Sequence, residues 1–256
     1  MAPLILLKIL RLMEKMLNVI RFLKNNYINV IDYLEMDDIR SGLFIYVNPF
    51  NYFHFRKQPE LMNVSKYRMD GFFVNSLVSH FCGLRDTGIR QSFDMTSLAP
   101  KIFDYCSRKQ LSIFFAGGKE GDAERFLEKV TPLFPNLKVA GYCSGYLEDE
   151  EVITRVKQSG ANVAVLGLGN IKQERTGFKL VNEYDALVFT CGAFISQTAN
   201  SNAQQGAYYP NWINKYNLRW LYRFIKEPHV IKRVAIYYPK FLLFFFKDLL
   251  FYKFKK

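Results

Sequence analysis

The fold is decided by the stretch Leu111-Ser-Ile-Phe-Phe-Ala-Gly-Gly-Lys-Glu-Gly121. It opens with aliphatic and aromatic residues that are typical of a buried strand, and it continues into a turn that holds three glycines. The polar stretch that follows, residues 120–131, has helical spacing. A strand, a glycine turn and a helix in this order form the first part of a βαβ unit.

Similar units occur on both sides of this stretch, between about residues 43 and 195. Strands are predicted at Leu43–Val47, Gly71–Val74, Leu111–Phe115, Leu137–Ala140, Ala161–Leu166 and Ala186–Phe189. Helices are predicted at 97–109, 120–131, 148–159 and 172–183. Because parallel strands need crossover connections, this alternation predicts an α/β fold, a Rossmann-like parallel sheet flanked by helices.

The composition indicates a globular body with basic ends. The 256 residues are 50% hydrophobic and 23% charged, which excludes a disordered chain, a collagen and a small disulfide scaffold. The formal net charge is +12; residues 1–24 carry +4 and residues 206–256 carry +9, so the 181 residues between them carry −1. Basic ends on a neutral body predict contact with a polyanion. Phe and Leu separate the lysines of the tail, which favours an anionic membrane over nucleic acid.

Three regions follow from these patterns. Residues 1–24 are predicted to form an amphipathic helix with Lys8, Arg11 and Lys15 on one face, either packed on the body or lying in a membrane interface. Residues 25–205 are predicted to form the α/β body. Residues 206–256 form a helical, basic and aromatic appendage that docks on a membrane.

The membrane contact of the appendage is predicted from its pattern. A helix over 210–230 is expected to end or bend at Pro228. Beyond it, a basic stripe stands opposite an apolar face: Lys232, Arg233, Lys240 and Lys247 against Leu242, Phe245, Phe246 and Leu249. Such a helix is typical of the membrane interface. Pro239, Lys240, Lys247 and Asp248 interrupt the tail, so no transmembrane helix is expected.

Cysteine and histidine usage indicates a reducing cytoplasm and no metal site. The chain has four cysteines without a C-x-x-C pair and three scattered histidines, and it has no Asp-x-Asp pair. The apolar start is short and lacks a small-residue cleavage site, so no signal peptide is expected.

Two glycine-rich turns are candidates for binding a nucleotide. The turns 116–121 and 167–174 each follow a predicted strand, and Lys119 or Lys172 could add positive charge. Tight turns in α/β proteins use glycine for structural reasons about as often. Neither turn completes G-x-G-x-x-G or the P-loop pattern, which counts against NAD and ATP.

Asp70-Gly71 is a candidate for acid–base chemistry. A carboxylate at the edge of a strand beside a cleft suits a general base, and the same dipeptide also suits an ordinary turn. The sequence pattern leaves both interpretations open.

An ordered set of short motifs gives the sequence a specific resemblance. The set is Asn48, Asp70-Gly71, Arg90, Ala116-Gly-Gly118, Gly145-Tyr146, Gly167-Leu-Gly-Asn-Ile-Lys-Gln-Glu174, Cys191-Gly-Ala-Phe194, Pro210-Asn-Trp212, Leu218-Arg-Trp-Leu-Tyr-Arg223 and Glu227-Pro228. Over residues 43–235 the chain resembles the bacterial WecG/TagA/CpsF family, glycosyltransferase family 26.

The resemblance implies an inverting, metal-independent transferase without a cofactor. The donor would be a UDP-sugar, and the acceptor a sugar on a polyprenyl diphosphate at the cytoplasmic face of the inner membrane. The product would enter a surface polysaccharide or teichoic acid. The enzyme would be a peripheral membrane protein, and the transferred hexose stays open.

The resemblance also implies roles for individual residues. Asp70 matches the general base, Asn48 lies beside it in the acceptor pocket, and Arg90 matches an arginine that faces the cleft. Residues implied in substrate binding are Gly117, Gly118, Gly169, Lys172, Gln173, Glu174, Arg223 and Arg233, the two arginines acting toward the diphosphate.

Several positions depart from the family pattern. They are Tyr46 in place of Thr, Ile171 in place of Pro, Ser196 in place of an acidic residue, Tyr208-Tyr209 in place of Arg-Ala, Arg219 in place of Glu, and the turn Ser92–Ser97 after Arg90. Such departures indicate a subgroup with another donor or acceptor, or a non-catalytic relative that acts as a membrane scaffold or regulator.

Two other functional hypotheses stay open: an NAD-dependent sugar enzyme and a nucleic-acid binder. The oligomeric state is also open, and a homo-oligomer is one option.

Overall fold

A six-stranded parallel sheet lies at the centre of the protein in a computed structural model. The structure describes residues 18–36, 41–58, 60–84, 91–201, 208–216 and 218–254. The strands are β1 (Gly42–Val47), β2 (Ser65–Met69), β3 (Ser112–Gly117), β4 (Lys138–Cys143), β5 (Val163–Gly167) and β6 (Leu187–Thr190). Their order across the sheet is β2-β1-β6-β5-β3-β4. The predicted Rossmann-like α/β fold is confirmed.

Helices cover both faces of the sheet, and each layer has its own hydrophobic core. One face carries α1 (residues 18–25), α3 (Tyr52–Lys57), α4 (Glu60–Val64), α5 (Phe72–Cys82), α8 (Asp149–Ser159), α9 (Lys172–Glu183) and α13 (His229–Phe254). The other carries α2 (Val30–Met36), α6 (Leu98–Arg108), α7 (Asp122–Val130) and α10 (Phe194–Ala199), with a 3-10 turn at Thr131–Leu133. Two short helices, α11 (Asn211–Lys215) and α12 (Arg219–Lys226), precede α13.

The predicted strands and helices between residues 98 and 190 are confirmed, because their sequence pattern matches their surroundings. In β5, residues 163–166 are Val-Ala-Val-Leu, and all four are buried between the two helix layers. The helices α6 to α8 each bury a mainly apolar side and expose a polar one, as their spacing predicts. α9 instead buries Gln173, Glu174 and Thr176 beside Leu180.

The predicted strand at Gly71–Val74 is wrong. The strand is β2, and residue 72 begins α5. β2 lies at the edge of the sheet, where Lys66 and Arg68 pack over the rings of Tyr33 and Tyr27, and these polar residues hide the strand pattern. Asp70 therefore follows a strand and precedes a helix, rather than preceding a strand.

The single helix predicted over 210–230 is also wrong, because this segment forms two helices. α11 ends at Lys215 and α12 begins at Arg219. The expected break at Pro228 is confirmed, since α12 ends two residues before it and α13 begins one residue after it.

α13 packs its aromatic side against the body. Phe241, Phe245 and Leu249 are buried, and the ring of Phe241 lies 5.0 Å from the ring of Tyr52 on α3, measured between centroids. The expectation that Phe245 and Leu249 face a membrane is therefore wrong. Helical spacing shows which residues share a face, but it does not show what covers that face.

A buried polar group anchors the same side of α13. Asp248 is 0% exposed; it accepts a hydrogen bond from the hydroxyl of Tyr52 at 2.7 Å and forms an ion pair with Arg56 at 2.7 Å. Burial raises the pKa of Asp248, while Tyr52 and Arg56 oppose the shift.

The outer side of α13 is exposed and alternates between apolar and basic residues. Along it, at intervals of three and four residues, stand Ile236, Lys240, Leu243, Lys247, Leu250 and Phe254. Among the helices of the described ranges, none has the length and apolar character needed to cross a membrane.

The predicted N-terminal helix lies mostly outside the described residues, which begin at residue 18; Lys8, Arg11 and Lys15 are not described. Residues 18–25 are helical, and Val19, Ile20 and Leu23 are buried in the core beneath α13.

Candidate active site

The carboxyl ends of the strands form the candidate site. β3 connects outward to β4, whereas β5 connects back toward β6, so the strand order reverses between β3 and β5. In open α/β sheets, ligands bind in the crevice at such a reversal.

Glycines allow the turns to meet closely at this crevice. A Cβ on Gly117 would lie 3.1 Å from the carbonyl oxygen of Gly167, and a Cβ on Gly145 would lie 3.0 Å from the Cα of Gly117. Gly118 has a φ of +74° and accepts a hydrogen bond from the N–H of Gly145 at 2.9 Å. Gly169 has a φ of +84°, and its Cα faces open space. The glycines at 117, 118 and 145 therefore allow close packing of the turns, whereas Gly169 presents its backbone to open space, where a phosphate group can approach closely.

A cavity of about 550 Å³ adjoins these turns at the outer edge of the sheet. Its lining includes Lys119, Glu124, Tyr142, Tyr146 and Arg155. The two tyrosines are exposed. This volume and the combination of aromatic rings with basic groups suit a nucleoside diphosphate.

Gln173 and Glu174 are buried and hold the surrounding turns together. The Oε1 atom of Gln173 accepts a hydrogen bond from the N–H of Gly192 at 3.1 Å. Glu174 accepts hydrogen bonds from the Nδ2 of Asn51 at 3.1 Å and from the N–H of Ile171 at 2.5 Å. Burial raises the pKa of Glu174, and these hydrogen bonds oppose that shift. Both side chains connect the turn before α9 with the turns after β1 and β6.

Lys172 connects the turn before α9 to the turn after β4. Its ammonium group donates hydrogen bonds to the carbonyl oxygens of Gly145, at 3.1 Å, and Leu147. The preceding residue, Ile171, has a φ of +76°, which is strained for a β-branched side chain. The substrate-binding roles of Lys172, Gln173 and Glu174 stay predictions; their observed contacts position the crevice.

Asn48 lies in the turn after β1 and reaches across the crevice. Its Oδ1 accepts hydrogen bonds from the N–H groups of residues 50 and 51, and its Nδ2 donates one to the Oδ1 of Asn170 at 3.2 Å. Asn48 thus connects the first strand turn to the glycine turn after β5.

Asp70 lies at the end of β2, next to the turn that holds Asn48, and its N–H donates a hydrogen bond to the carbonyl oxygen of Val47 at 2.8 Å. Desolvation raises the pKa of Asp70, whereas the positive charges of Arg223 and Arg219 oppose the shift. The side chain is still exposed, so a substrate hydroxyl has access to it. A carboxylate with a raised pKa and an open approach is well suited to accept a proton.

α12 and α13 bring further groups to Asp70. The hydroxyl of Tyr238 lies 3.7 Å from the position that a Cβ on Gly71 would occupy. Arg223 forms an ion pair with Glu227 at 3.1 Å, and its Nε is buried without a hydrogen-bond partner in the part of the chain that the structure describes. A buried donor without a partner beside a solvent-exposed carboxylate is a place for an anion.

Of the two other predicted arginines, one is described, and it does not enter this arrangement. Arg233 stacks over the ring of Phe50 at 4.4 Å, beside the turn after β1. Arg90 lies outside the described residues.

Comparison with known protein families identifies the class of protein that carries this site. The family model described as "Glycosyl transferase WecG/TagA/CpsF family" matches residues 19–255. The chain belongs to this family. The predicted family, and with it the prediction of a glycosyltransferase, is confirmed.

Curated members of the family are similar over most of their length. One is a "UDP-Gal:alpha-D-GlcNAc-diphosphoundecaprenol beta-1,4-galactosyltransferase" of Shigella boydii, 29% identical over 212 residues that cover 81% of this chain and 87% of the relative. Another is an "N-acetylglucosaminyldiphosphoundecaprenol N-acetyl-beta-D-mannosaminyltransferase" of Bacillus subtilis, 25% identical over 247 residues that cover 90% of each chain.

Three of the departures from the family pattern meet in one cluster that sequence reasoning did not identify as part of the site. Arg219 binds the carboxylate of Asp94 at 2.7 Å and the hydroxyl of Thr96 at 2.7 Å. Its guanidinium lies 4.2 Å from the ring centre of Tyr209. The coincidence of changes at 92–97, 208–209 and 219 was the available signal. The cluster attaches α12, and hence Arg223, to the body.

Replacing Arg219 with Gln is expected to lower kcat/KM of sugar transfer about tenfold, because α12 loses the bonds that hold Arg223 near Asp70. Thermal melting should change little, since the ion pair is partly exposed. Lys226→Gln, on the exposed end of the same helix, is the matched control. Asp94→Asn should add nothing to Arg219→Gln in a double-mutant cycle; additive losses would show that the two residues act separately.

Proposed function

We propose that the protein transfers a hexose, with inversion, from a UDP-sugar to the sugar of a polyprenyl-diphosphate-linked acceptor in bacterial surface polysaccharide synthesis. The observation that carries the proposal is the exposed Asp70 carboxylate within the electrostatic influence of Arg223, whose buried Nε has no hydrogen-bond partner among the described residues. The names of the two relatives, both of which include N-acetylglucosaminyl-diphosphoundecaprenol, support the acceptor class.

The chemical step needs one base and one anion site. Asp70 accepts the proton of the acceptor hydroxyl while that oxygen forms a bond to the anomeric carbon of the donor sugar. On the opposite side of that carbon, the bond to the UDP oxygen breaks, so the configuration inverts and UDP leaves with the electron pair. Arg223 stabilises the negative charge that develops on the leaving diphosphate.

The donor fits the crevice between β3 and β5. The diphosphate is assigned to the turn at Gly169, where the backbone faces open space, and the nucleoside to the cavity beside Tyr142 and Tyr146. The substrate-binding roles of Gly117 and Gly118, which pack against neighbouring protein atoms, stay predictions. The two relatives are named for different sugars, galactose and N-acetylmannosamine, so family membership does not fix the donor hexose.

Metal independence is part of the proposal. Among the described residues, His, Cys, Asp and Glu side chains form no cluster of three that could hold a metal ion. In the proposed step, arginine and backbone N–H groups provide the positive charge for the diphosphate.

The acceptor places the enzyme at the cytoplasmic face of the inner membrane. The tail from residue 206 carries a net +9, and the outer side of α13 alternates between lysines and apolar residues. Peripheral docking on anionic lipid raises the effective concentration of an acceptor that is confined to the same surface.

The donor class is tested by thermal melting with UDP, UDP-galactose, UDP-N-acetylmannosamine, GDP-mannose and NADH, each with and without EDTA. A ligand at a hundred times its Kd stabilises the folded state by about 2.7 kcal/mol, so uridine nucleotides alone should raise the melting temperature, equally with EDTA. A rise with NADH alone would indicate a dehydrogenase. No rise with any nucleotide would favour a non-catalytic scaffold.

A further inference from the structure

α5 and α13 lie side by side on the outside of the protein. The start of α5 meets α13 at Gly71 and Tyr238, and its end meets α13 where the rings of Phe81 and Phe246 lie 5.0 Å apart. The inner sides of both helices are buried in the same hydrophobic core. Their exposed sides therefore face outward from the same side of the protein.

This two-helix surface exposes large apolar side chains. Phe72 is 73% exposed and Phe73 is 56% exposed, on the first turn of α5. On α13, Leu243 and Leu250 are each more than half exposed. An apolar surface of this kind marks an interaction site, because water does not favour its exposure.

The charges of the same surface have one sign. α5 carries no charged Asp, Glu, Lys or Arg residue, and α13 carries five basic residues: Lys232, Arg233, Lys240, Lys247 and Lys253. The single acidic residue of the two helices, Asp248, is buried against Arg56. The fitting partner is therefore anionic on its surface and apolar beneath, which describes a bilayer that contains anionic lipid.

We propose that Phe72 and Phe73 insert into the bilayer, so that the first turn of α5 is part of the membrane contact together with α13. This inference rests on the proposed function and adds a second contact element to it. Phe72 follows Asp70 by two positions, a distance of at most about 7 Å along the chain. The insertion places the carboxylate of Asp70 at the depth of the lipid head groups, where the acceptor sugar lies.

The proposal is tested by labelling single introduced cysteines with an environment-sensitive fluorophore. The four native cysteines are buried, so a new exposed cysteine is the preferred site of labelling. The variants are Phe72→Cys, Leu243→Cys on α13, and Leu133→Cys, an exposed apolar position on the opposite layer. With vesicles of phosphatidylglycerol and phosphatidylethanolamine, labels at 72 and 243 should brighten several-fold and shift to the blue, and the label at 133 should not.

Each other outcome overturns the proposal in a distinct way. A response at 243 without one at 72 would confine the membrane contact to α13 and leave the proposed function intact. No response at either position would also remove the membrane partner from the proposed function. A response at 72 that rises with protein concentration without vesicles would identify a second copy of the chain as the occupant.

Transfer assays supply an independent readout. For the double variant Phe72→Ser with Phe73→Ser, kcat/KM with an acceptor embedded in vesicles should fall at least tenfold relative to kcat/KM with a water-soluble short-chain acceptor. Leu133→Ser should leave this ratio unchanged. Equal losses with both acceptors would mean that the phenylalanines act inside the cleft and not on lipid.

Discussion

Asp70→Asn is expected to reduce sugar transfer by about a thousandfold while UDP binding stays near its original strength, since general-base catalysis contributes roughly 10² to 10⁴ in rate. The amide keeps the size of the side chain and cannot accept the proton of the acceptor hydroxyl. The measurement is kcat/KM with a lipid-linked acceptor, together with a thermal-shift titration with UDP. Full activity in the variant would remove Asp70 from the mechanism.

The pH profile gives a second readout of the same residue. Desolvation raises the pKa of Asp70, so kcat/KM of the unaltered enzyme should fall as the pH drops through that raised pKa. The residual activity of Asp70→Asn should lack this acid limb. Asp104→Asn, an exposed carboxylate on α6, is the control and should keep both the rate and the limb.

In Asp70→Asn, the melting temperature should stay the same or rise while transfer activity falls. A carboxyl with a raised pKa in the folded state stabilises the fold below its unfolded pKa, and this contribution is lost as the pH rises through the folded pKa. At a pH above that raised pKa, the ionised Asp70 therefore lowers the free energy of unfolding, and Asp70→Asn should melt at the same or a higher temperature. A lower melting temperature would indicate a structural role instead.

Sequence patterns predicted the fold most accurately where local spacing and tertiary surroundings agree. The helix predicted over 97–109 matches α6 to within one residue at each end, because its apolar residues are buried against the sheet while Lys101 and Asp104 face water. β2 was missed because an edge strand tolerates Lys66 and Arg68, whereas the adjacent Phe72 and Phe73 resemble a strand while lying on an exposed helix turn.

Only part of the candidate site could be predicted, because sequence motifs are local and contacts between distant segments are not. Motifs pointed to Asp70, Asn48 and the glycine turns, which lie at strand ends and meet wherever the sheet forms. The contacts of Arg219 with Asp94 and of Tyr238 with Gly71 join segments 125 and 167 residues apart, and no local pattern encodes them. The packing of α13 was not predicted for the same reason: helical spacing shows that the helix has an aromatic face, but it does not show that this face packs against the body.

The largest loss of stability is expected from Asp248→Ala, at about 3–5 kcal/mol, which lowers the melting temperature by roughly 10 °C. The change leaves the guanidinium of Arg56 and the hydroxyl of Tyr52 buried without their acceptor. Glu151→Ala, which breaks an exposed ion pair with Arg155, is the control and should cost less than about 1 kcal/mol.

A further variant distinguishes the cost of leaving Arg56 and Tyr52 buried without an acceptor from the net stabilisation that the polar contacts provide. Burial raises the pKa of Asp248 even beside Arg56, so the attraction does not fully offset desolvation. A triple variant with Tyr52→Phe, Arg56→Met and Asp248→Leu should therefore regain most of the stability that Asp248→Ala loses. If both proteins melt at the same low temperature, the polar contacts themselves hold α13 in place. Because α13 also carries Tyr238 and the outward-facing lysines, transfer activity should follow the melting temperature across this series.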